Sequence, residues 1–278
     1  MKIVASTGGK GGVGKSTYAI LLALKLSEKG KRVVLCDCDV ECPNDYLILN
    51  QELKESKPIY QNYPVLDKDK CTKCGLCSQT CREHAIFWVE GRHPMFIYDL
   101  CTGCGACWVA CPQKAIKTKK EQAGESFITE VKDGLWLVTG RSKPGISETG
   151  PIVRVVKDRA IKFAEKNAAD YLIIDTAPGT HCSVIQALLG CDKAYAVTEP
   201  TPLGAHDLRL ILELAEKLNV PAEIVLNKAD VGSKRKIEEI AEKFDTKISV
   251  EIPYSEELLK AYCEKDLKRV ADLIEVVE

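Results

Sequence analysis

The chain has no surplus of basic charge. Its 278 residues carry 39 lysines and arginines against 40 aspartates and glutamates, a formal net charge of −1. Sequence-independent binding to nucleic acid rests on cationic side chains that displace counterions from phosphates, so that class of function has no electrostatic support. The densest basic run, Ser233 to Lys236, passes directly into IEEIAEKF and reads as the solvated start of an amphipathic helix. There is also no apolar run of the roughly 18 residues that a membrane span requires. The N-terminus, MKIVAS, runs straight into a loop motif rather than a leader sequence. These absences make a cytoplasmic setting the expectation, with neither nucleic acid nor membrane as a partner. Glutamine, asparagine and methionine are scarce beside abundant lysine and glutamate, a bias towards thermophiles.

Fourteen cysteines stand out against that background. In a cytoplasmic chain they point to metal ligands rather than disulfides. Eight fall into two runs. CTKCGLCSQTC supplies Cys71, Cys74, Cys77 and Cys81, and CTGCGACWVACP supplies Cys101, Cys104, Cys107 and Cys111. Each run is C-x(2)-C-x(2)-C-x(3)-C, the bacterial two-cluster ferredoxin spacing, in which the fourth cysteine ligates the other cluster. One [4Fe–4S] cluster is therefore assigned to Cys71, Cys74, Cys77 and Cys111, and the second to Cys101, Cys104, Cys107 and Cys81. Three close thiolates can wrap three corners of a cubane, and the glycines between them let the backbone approach the sulfides. The rival is zinc, whose sites usually use paired C-x(2–4)-C arms; two three-plus-one runs fit it poorly. Each half is expected to continue into a short helix and a strand, at REHAIFWVEG and PQKAIKTKK. Arg82 stands where ferredoxins usually place proline.

The second motif is a phosphate loop. Gly9 to Ser16 reads G-K-G-G-V-G-K-S, which satisfies G-x(4)-G-K-[ST]. A short apolar strand (KIVAS) precedes it, and a helix apolar at Ile20, Leu21, Leu22, Leu24 and Leu26 follows, stopped by Gly30. Gly9, Gly11, Gly12 and Gly14 allow backbone N–H groups to reach phosphates without an intervening Cβ. Lys10, Val13 and Thr17 complete the nucleotide-binding loop, and the helix start adds partial positive charge. Lys15 would reach the β and γ phosphates, and the Ser16 hydroxyl would bind Mg²⁺. Lys10, a second lysine at the start of the loop, is not explained by the general motif.

Strand signals occur on both sides of the cysteines. KRVVLCDCDVECPN is a strand ending in two aspartates, and YLIIDTAPGT delivers Asp175 to a Pro–Gly loop. LWLVTG, AYAVT, AEIVLN and KISVEI follow the same pattern, with helices such as LGAHDLRLILELAEKL between them. Such alternation predicts an α/β fold with a doubly wound, mostly parallel sheet that binds ligand at the strands' carboxyl ends. The expected organisation is an ATPase domain in two parts, residues 1–59 and 120–278, with an inserted α+β ferredoxin-like domain over 60–119. The C-terminal segment ELLKAYCEKDLKRVADLIEVVE reads as a helix packed on the domain. Its acidic end argues against an anionic lipid surface.

Together, K-G-G-V-G-K-[ST], the strand-end D-x-D and the later carboxylate resemble the deviant Walker loop superfamily of MinD, ParA and the nitrogenase iron protein. The chain as a whole resembles members carrying an inserted two-cluster ferredoxin. The resemblance implies that Lys10 reaches across a dimer interface to the partner's ATP. It implies that Asp39 orients the attacking water and contributes to the Mg²⁺ site, with Asp37 in support, and that Asp175 acts on Mg²⁺ through water. It further implies that Asn227 contacts the base and that Pro253 lies in the loop lining the adenine. The catalytic set is then Lys10, Lys15 and Asp39, and the cofactors are ATP or ADP, Mg²⁺ and two [4Fe–4S] clusters. The partners implied are a second copy or a paralogue in a dimer, and a redox or metal-cluster client.

Of the remaining cysteines, Cys36 and Cys38 read as buried core, Cys42 as part of the next loop, and Cys191 and Cys263 as incidental. Cys182 lies seven residues after Asp175. The nitrogenase iron protein uses a cysteine at that offset for a cluster bridging two subunits, but needs a second cysteine from an earlier loop. The corresponding stretch here, GRSKPGISETGP, has none, and packing at a helix start is the alternative. Two functions follow. The first is an ATP-hydrolysing iron–sulfur protein that couples nucleotide-driven dimerisation to electron transfer or cofactor assembly. The second is a positioning or partitioning ATPase with structural or sensory clusters. An amidoligase would need a glutaminase-like Cys–His–Glu arrangement, which does not stand out.

Overall fold

The structure, a computed structural model, describes residues 1–146, 148–264, 266 and 269. The strands are β1 (Lys2–Thr7), β2 (Val33–Asp37), β3 (Lys57–Leu66), β4 (Ile86–Phe87), β5 (Met95–Phe96), β6 (Ile116–Lys132), β7 (Leu135–Ser142), β8 (Tyr171–Asp175), β9 (Lys193–Thr198), β10 (Ala222–Asn227) and β11 (Ile248–Ile252). The helices are α1 (Lys15–Glu28), α2 (Asp45–Ile48), α3 (Leu76–Thr80), α4 (Ala106–Val109), α5 (Gly150–Lys166), α6 (Cys182–Leu188), α7 (Pro202–Lys217), α8 (Arg235–Lys243) and α9 (Glu256–Cys263). The acidic end of the C-terminal segment, residues 272–278, lies outside the described residues.

Nine strands form one sheet in the order β11-β10-β9-β1-β8-β2-β7-β6-β3. From β11 to β7 every pairing is parallel, whereas β6 and β3 are added antiparallel. The central parallel strands, β2 and β8 among them, are buried on both faces, which is why they read as continuous apolar runs rather than alternating ones. Successive residues still face opposite layers. Val33, Leu35 and Leu137 pack with α1 residues Ile20, Leu21 and Leu24, while Val34, Cys36 and Val138 pack with Val153, Val156 and Ala160 of α5. Helices thus cover both faces, the doubly wound α/β arrangement expected from the alternation.

β1 lies between β8 and β9, so the chain leaves it in one direction through β2 and returns to its other side at β9. That reversal of winding opens a crevice at the carboxyl ends of the central strands. The loop after β1 emerges into it.

The β3/β6 ladder has a different role. β6 pairs with β7 from Gly124 onwards, and with β3 from Ile116 to Ser126. Residues 116–123 therefore outrun β7, by roughly 27 Å at the usual rise per residue. β3 runs parallel to β7 in direction, so this extension projects from the carboxyl edge, the side on which the phosphate loop lies. A bulge at Ile59/Tyr60 marks where the ladder leaves the body of the sheet. Arg159 of α5 clamps its base, donating to Ser126 O, Ser126 Oγ and Glu55 O.

Residues 67–115 form the excursion at the tip. It contains α3, α4, the β4–β5 hairpin and a 3₁₀ turn at Tyr98–Leu100. It folds back on the ladder: Gln61 Nε2 donates to Cys101 O (3.2 Å) and Tyr98 Oη to Pro64 O (3.1 Å). The short helices precede the fourth cysteine of each run instead of following it. Residues 82–84 and 112–114 are turns and isolated backbone, because α3 and α4 start at the glycine after the second cysteine and are spent by the fourth.

Candidate functional site

The phosphate loop is a cradle with an uncapped helix at its end. α1 starts after Gly14, which has φ 101° and supplies no side-chain cap. The first-turn N–H groups have no intrahelical partner and, with the helix dipole, favour an anion. Gly14 is also required by space, since a Cβ there would lie 2.7 Å from Asn227 Nδ2. A Cβ at Gly11 or Gly12 would meet nothing within 4 Å, which marks the open side of the cradle. Val13 is buried beneath the loop, and Ser6 Oγ donates to Lys15 O (2.8 Å), tying β1 to the helix start. Gly9 packs against Asp207 of α7, and Thr17 is half-buried in the first turn of α1.

Lys15 is buried and donates to Lys10 O at 3.0 Å. Burial depresses its pKa, against the opposing pull of Asp175 and Asp39. Lys10 is held within its own chain. Its Nζ lies 3.3 Å from Glu199 Oε2, and Lys228 Nζ lies 2.6 Å from Glu199 Oε1. Burial alone would raise the Glu199 carboxyl, but the two lysines overcome it and hold the pKa below its usual value.

Three carboxylates meet under the loop. Ligand oxygens of Asp37, Asp45 and Asp175 lie within 4.8 Å of one another, and all three residues are buried. Burial pushes the pKa of each upward. For Asp37 and Asp45 the next cause is the neighbouring carboxylates, and Asp175 reaches about 7 even with the Ser16 hydroxyl hydrogen-bonded to it and Lys15 nearby. Both Asp45 oxygens and Asp175 Oδ1 lack a hydrogen-bond partner. Buried, unpaired carboxylates are costly, and a hard dication with oxygen ligands is what this donor set suits. The residues therefore fit Mg²⁺, with Asp175 and Ser16 brought together as the sequence suggested. Asp39 is not one of the three. It is half-buried, accepts the Cys42 N–H at 3.4 Å, and lies near enough to Lys15 to feel its charge. Asp37, read as a supporting residue, accepts N–H groups from Asp39, Asn44 and Asp45.

Asn227 sits at the end of β10 and donates to Val13 O (2.9 Å), so it touches the loop's backbone. Pro253 follows β11 in the neighbouring loop, where Tyr254 N donates to Asp230 Oδ1. Sequence reasoning missed Asp45 and Glu199. Neither belongs to a spaced motif, and each acquires its position only through packing.

The eight clustered cysteines line two separate clefts. One is bordered by Cys71, Cys74, Cys77 and Cys111. The other is bordered by Cys81, Cys101, Cys104 and Cys107. These are the same crossed sets of four that the spacing assigns. No three of these thiols lie within 4.8 Å of one another, since the Asp37–Asp45–Asp175 group alone meets that condition among the described residues. Gly75 and Gly105, with φ 77° and 90°, start the ligand helices, and a Cβ at either would strike the ring of Trp88 or Trp108 at 2.7 Å. Burial raises the thiols of Cys77 and Cys101, and takes Cys107 up to about 11. Metal binding must therefore displace their protons.

Outside these clefts, Cys36 and Cys38 are buried with their sulfurs 3.6 Å apart. Cys191 is buried against Lys157, which caps the end of α6 by donating to Ala187 O and Leu189 O. Cys42, Cys182 and Cys263 are exposed.

A doubly wound sheet with a glycine cradle at its switch point, above buried carboxylates, defines a P-loop nucleotide-binding protein. The chain belongs to the CobQ/CobB/MinD/ParA nucleotide-binding domain family, which matches residues 4–268. It is 36% identical over 266 residues to the uncharacterized protein MJ0579 of Methanocaldococcus jannaschii, covering 95% of this chain and 90% of that one. It is 26% identical over 219 residues to the iron-sulfur cluster carrier protein of the same organism, covering 77% of this chain but 54% of the relative. Among solved structures it resembles the septum site-determining protein MinD of Pyrococcus horikoshii in complex with Mg-ADP. That match has a TM-score of 0.57 and 17% identity, and covers 98% of this chain and 92% of the other. Among the described residues, no helix is long and apolar enough to cross a membrane.

Proposed function

We propose that the chain is a Mg²⁺-dependent ATPase that carries two [4Fe–4S] clusters and couples nucleotide-driven dimerisation to electron transfer or iron–sulfur cofactor assembly. The observation that carries this reading is the pair of four-thiol clefts, raised on the β3/β6 extension above the same sheet edge as the phosphate loop. Residues 67–115 would act as the ferredoxin-like insert, rooted in the ATPase through the ladder on either side. Names borne by relatives agree: besides the carrier protein, a Drosophila yakuba relative, 25% identical over 227 residues, is a cytosolic Fe-S cluster assembly factor.

In the nucleotide site, backbone N–H groups of Gly11 to Lys15 would cradle the phosphates, and Lys15 would neutralise developing charge. Ser16 and Asp175 would hold Mg²⁺, which supplies electrophilic assistance when bound. Asp39 would orient water, and Asn227 and Pro253 would face the base. Lys10 would leave Glu199 and cross to the partner's phosphates. Glu199 keeps Lys228 as a counterion throughout, so the crossing leaves no bare buried carboxylate. The partner would be a second copy or a paralogue. M. jannaschii contains two relatives, MJ0579 and MJ0578, the latter 35% identical over 231 residues.

The test is anaerobic quantification of iron and sulfide before and after incubation with an apo-acceptor, with and without MgATP. About eight irons and eight sulfides per chain are expected. MgATP-dependent loss of iron to the acceptor identifies a carrier, and retained iron with MgATP-dependent reduction of the acceptor identifies electron transfer. Iron-free protein holding zinc in the thiol clefts would overturn the reading.

A further inference from the structure

Ser16 and Asp175 would share the nucleotide's cation with phosphate oxygens, but Asp37 and Asp45 are drawn to the same place with no motif to explain them. Sheet register does the drawing. On the face of the sheet covered by α1 and α2, β2 presents Val33 and Leu35, β7 presents Leu135 and Leu137, and β8 presents Ile173. The next residue on that face is polar in all three strands: Asp37, Thr139 and Asp175. Asp37 is the register partner of both Thr139 and Asp175, so the three side chains stand in one row across adjacent strands. Tyr46 and Ile48 of α2 pack on the same apolar layer, and the helix brings Asp45 to the row.

The row is buried and short of partners. Asp37, Asp45, Thr139 and Asp175 are each no more than 1% exposed. Asp37 accepts the N–H groups of Asp39, Asn44 and Asp45, which take three of its roughly four acceptor positions. Both oxygens of Asp45, Oδ1 of Asp175 and Oγ1 of Thr139 have no hydrogen-bond partner. Thr139 is a sign independent of the carboxylates, because a buried hydroxyl on the face that carries Asp37 is also left unpaired. Such atoms are costly to bury unless something bonds them. Ligand oxygens of Asp37, Asp45 and Asp175 lie within 4.8 Å of one another. Oxygens on opposite sides of one ion are about 4.2 Å apart for Mg²⁺ and about 4.6–5.2 Å for Ca²⁺, so the three already have the spacing of a shared ligand shell. Lys15 beside Asp175 offsets one of the three negative charges, and a dication would offset the other two.

We propose that Asp37, Asp45 and Asp175 form a divalent-cation site that fills without nucleotide, separate from the ion that Ser16 would share with phosphate. Its charge is balanced by the chain alone, so no phosphate is needed to hold the ion. An all-oxygen donor set selects Mg²⁺, Mn²⁺ or Ca²⁺ over thiophilic ions. Asp37 also takes the N–H groups of Asp39, Asn44 and Asp45, so an ion here fixes both ends of the loop that carries Asp39 before nucleotide arrives. The site stands on these residues and not on ATP hydrolysis or cluster chemistry.

Mn²⁺ is the probe. Cluster-loaded, nucleotide-free protein is titrated anaerobically with Mn²⁺, the free ion is followed by electron paramagnetic resonance, and melting is measured with and without Mn²⁺. The wild type is expected to bind about one Mn²⁺ per chain, displaced by excess Mg²⁺. An Asp133→Asn control, altered in the exposed turn between β6 and β7, should bind it equally. Asp45→Asn is expected to lower the affinity at least about tenfold, and Thr139→Val to weaken it in the same direction. Asparagine keeps the shape of aspartate and removes repulsion, so the Asp45→Asn protein should melt no lower than the wild type without metal, yet lose the gain that Mn²⁺ confers. No Mn²⁺ bound without nucleotide, undiminished binding in Asp45→Asn, or a melting point lowered equally with and without metal would overturn the site. A chain that binds Mn²⁺ without nucleotide but hydrolyses no ATP keeps the site and loses the proposed function. One that hydrolyses ATP but binds no Mn²⁺ without nucleotide does the reverse.

Discussion

Lys10 is the residue whose position in one chain says most about what a second chain would do. It is parked on Glu199, a carboxylate that Lys228 also neutralises. If it acts across an interface, Lys10→Ala should reduce phosphate release at least about 100-fold, in line with other trans-acting cations. ADP binding, measured by titration, should stay within a few-fold, because Lys15 and the loop N–H groups remain. Unchanged turnover would remove the crossing role. The three buried carboxylates give a second test. Asp175 has a native pKa of about 7 against about 4 for an unfolded aspartate. Between those values the native state binds more protons than the unfolded one, so this group's contribution to the stability of metal-free protein falls as pH rises. Mg²⁺ needs the deprotonated form. Mg²⁺ should therefore raise the melting temperature more at pH 8 than at pH 5.5, as followed by scanning calorimetry. Equal shifts would mean that the cation binds elsewhere.

At the scale of elements, the β3/β6 ladder does the unexpected work. The stretch KESKPIYQNYP is polar, and the sequence reading places the boundary of the first ATPase part within it, at residue 59. β3 runs through that point, with a bulge at Ile59/Tyr60. The ladder was hard to read because the outer half of β6 is exposed on both faces, so residues such as Lys117, Lys119 and Lys120 give no apolar period. The central parallel strands, such as β2 and β8, were legible for the opposite reason, being buried on both faces and almost wholly apolar. The phosphate loop and the cysteine runs were legible because their chemistry demands fixed spacing. Asp45 was not, since nothing local distinguishes a buried aspartate from one in a turn. The ligand helices allow a direct test. Gly75→Ala would put a Cβ at 2.7 Å from the Trp88 ring with φ at 77°, a strain of about 1–3 kcal/mol confined to the first cleft. Iron content should fall towards half while ADP binding is preserved. Full iron occupancy would show that the loop relaxes around the methyl group.

For the whole molecule, the decisive feature is that both kinds of site share one edge of one sheet. The loop after β2, which carries Asp39, leads through α2 into β3, and α5 grips the base of the ladder through Arg159. A change at Asp39 on nucleotide binding would reach the thiol clefts through α2, β3 and the length of the ladder. The expected outcome is that cluster reduction potentials, or their accessibility to a chelator, differ between nucleotide-free, ADP and ATP-analogue forms. Identical values in all three, measured by anaerobic redox titration and iron-release kinetics, would mean that the sites are independent.

What the sequence determined by itself were the chemistries with obligatory local spacing: the glycine cradle with its two lysines, the eight thiols, and the apolar strands of a doubly wound sheet. Tertiary structure decided which distant residues meet. It brought Asp45 to Asp37 and Asp175, and Glu199 to Lys10. The reason is physical. A backbone cradle or a three-thiol loop is built within a dozen residues and leaves its period in the chain. A contact between loops at the ends of different strands depends on strand order and helix packing, and these leave no mark on the spacing of the residues they join.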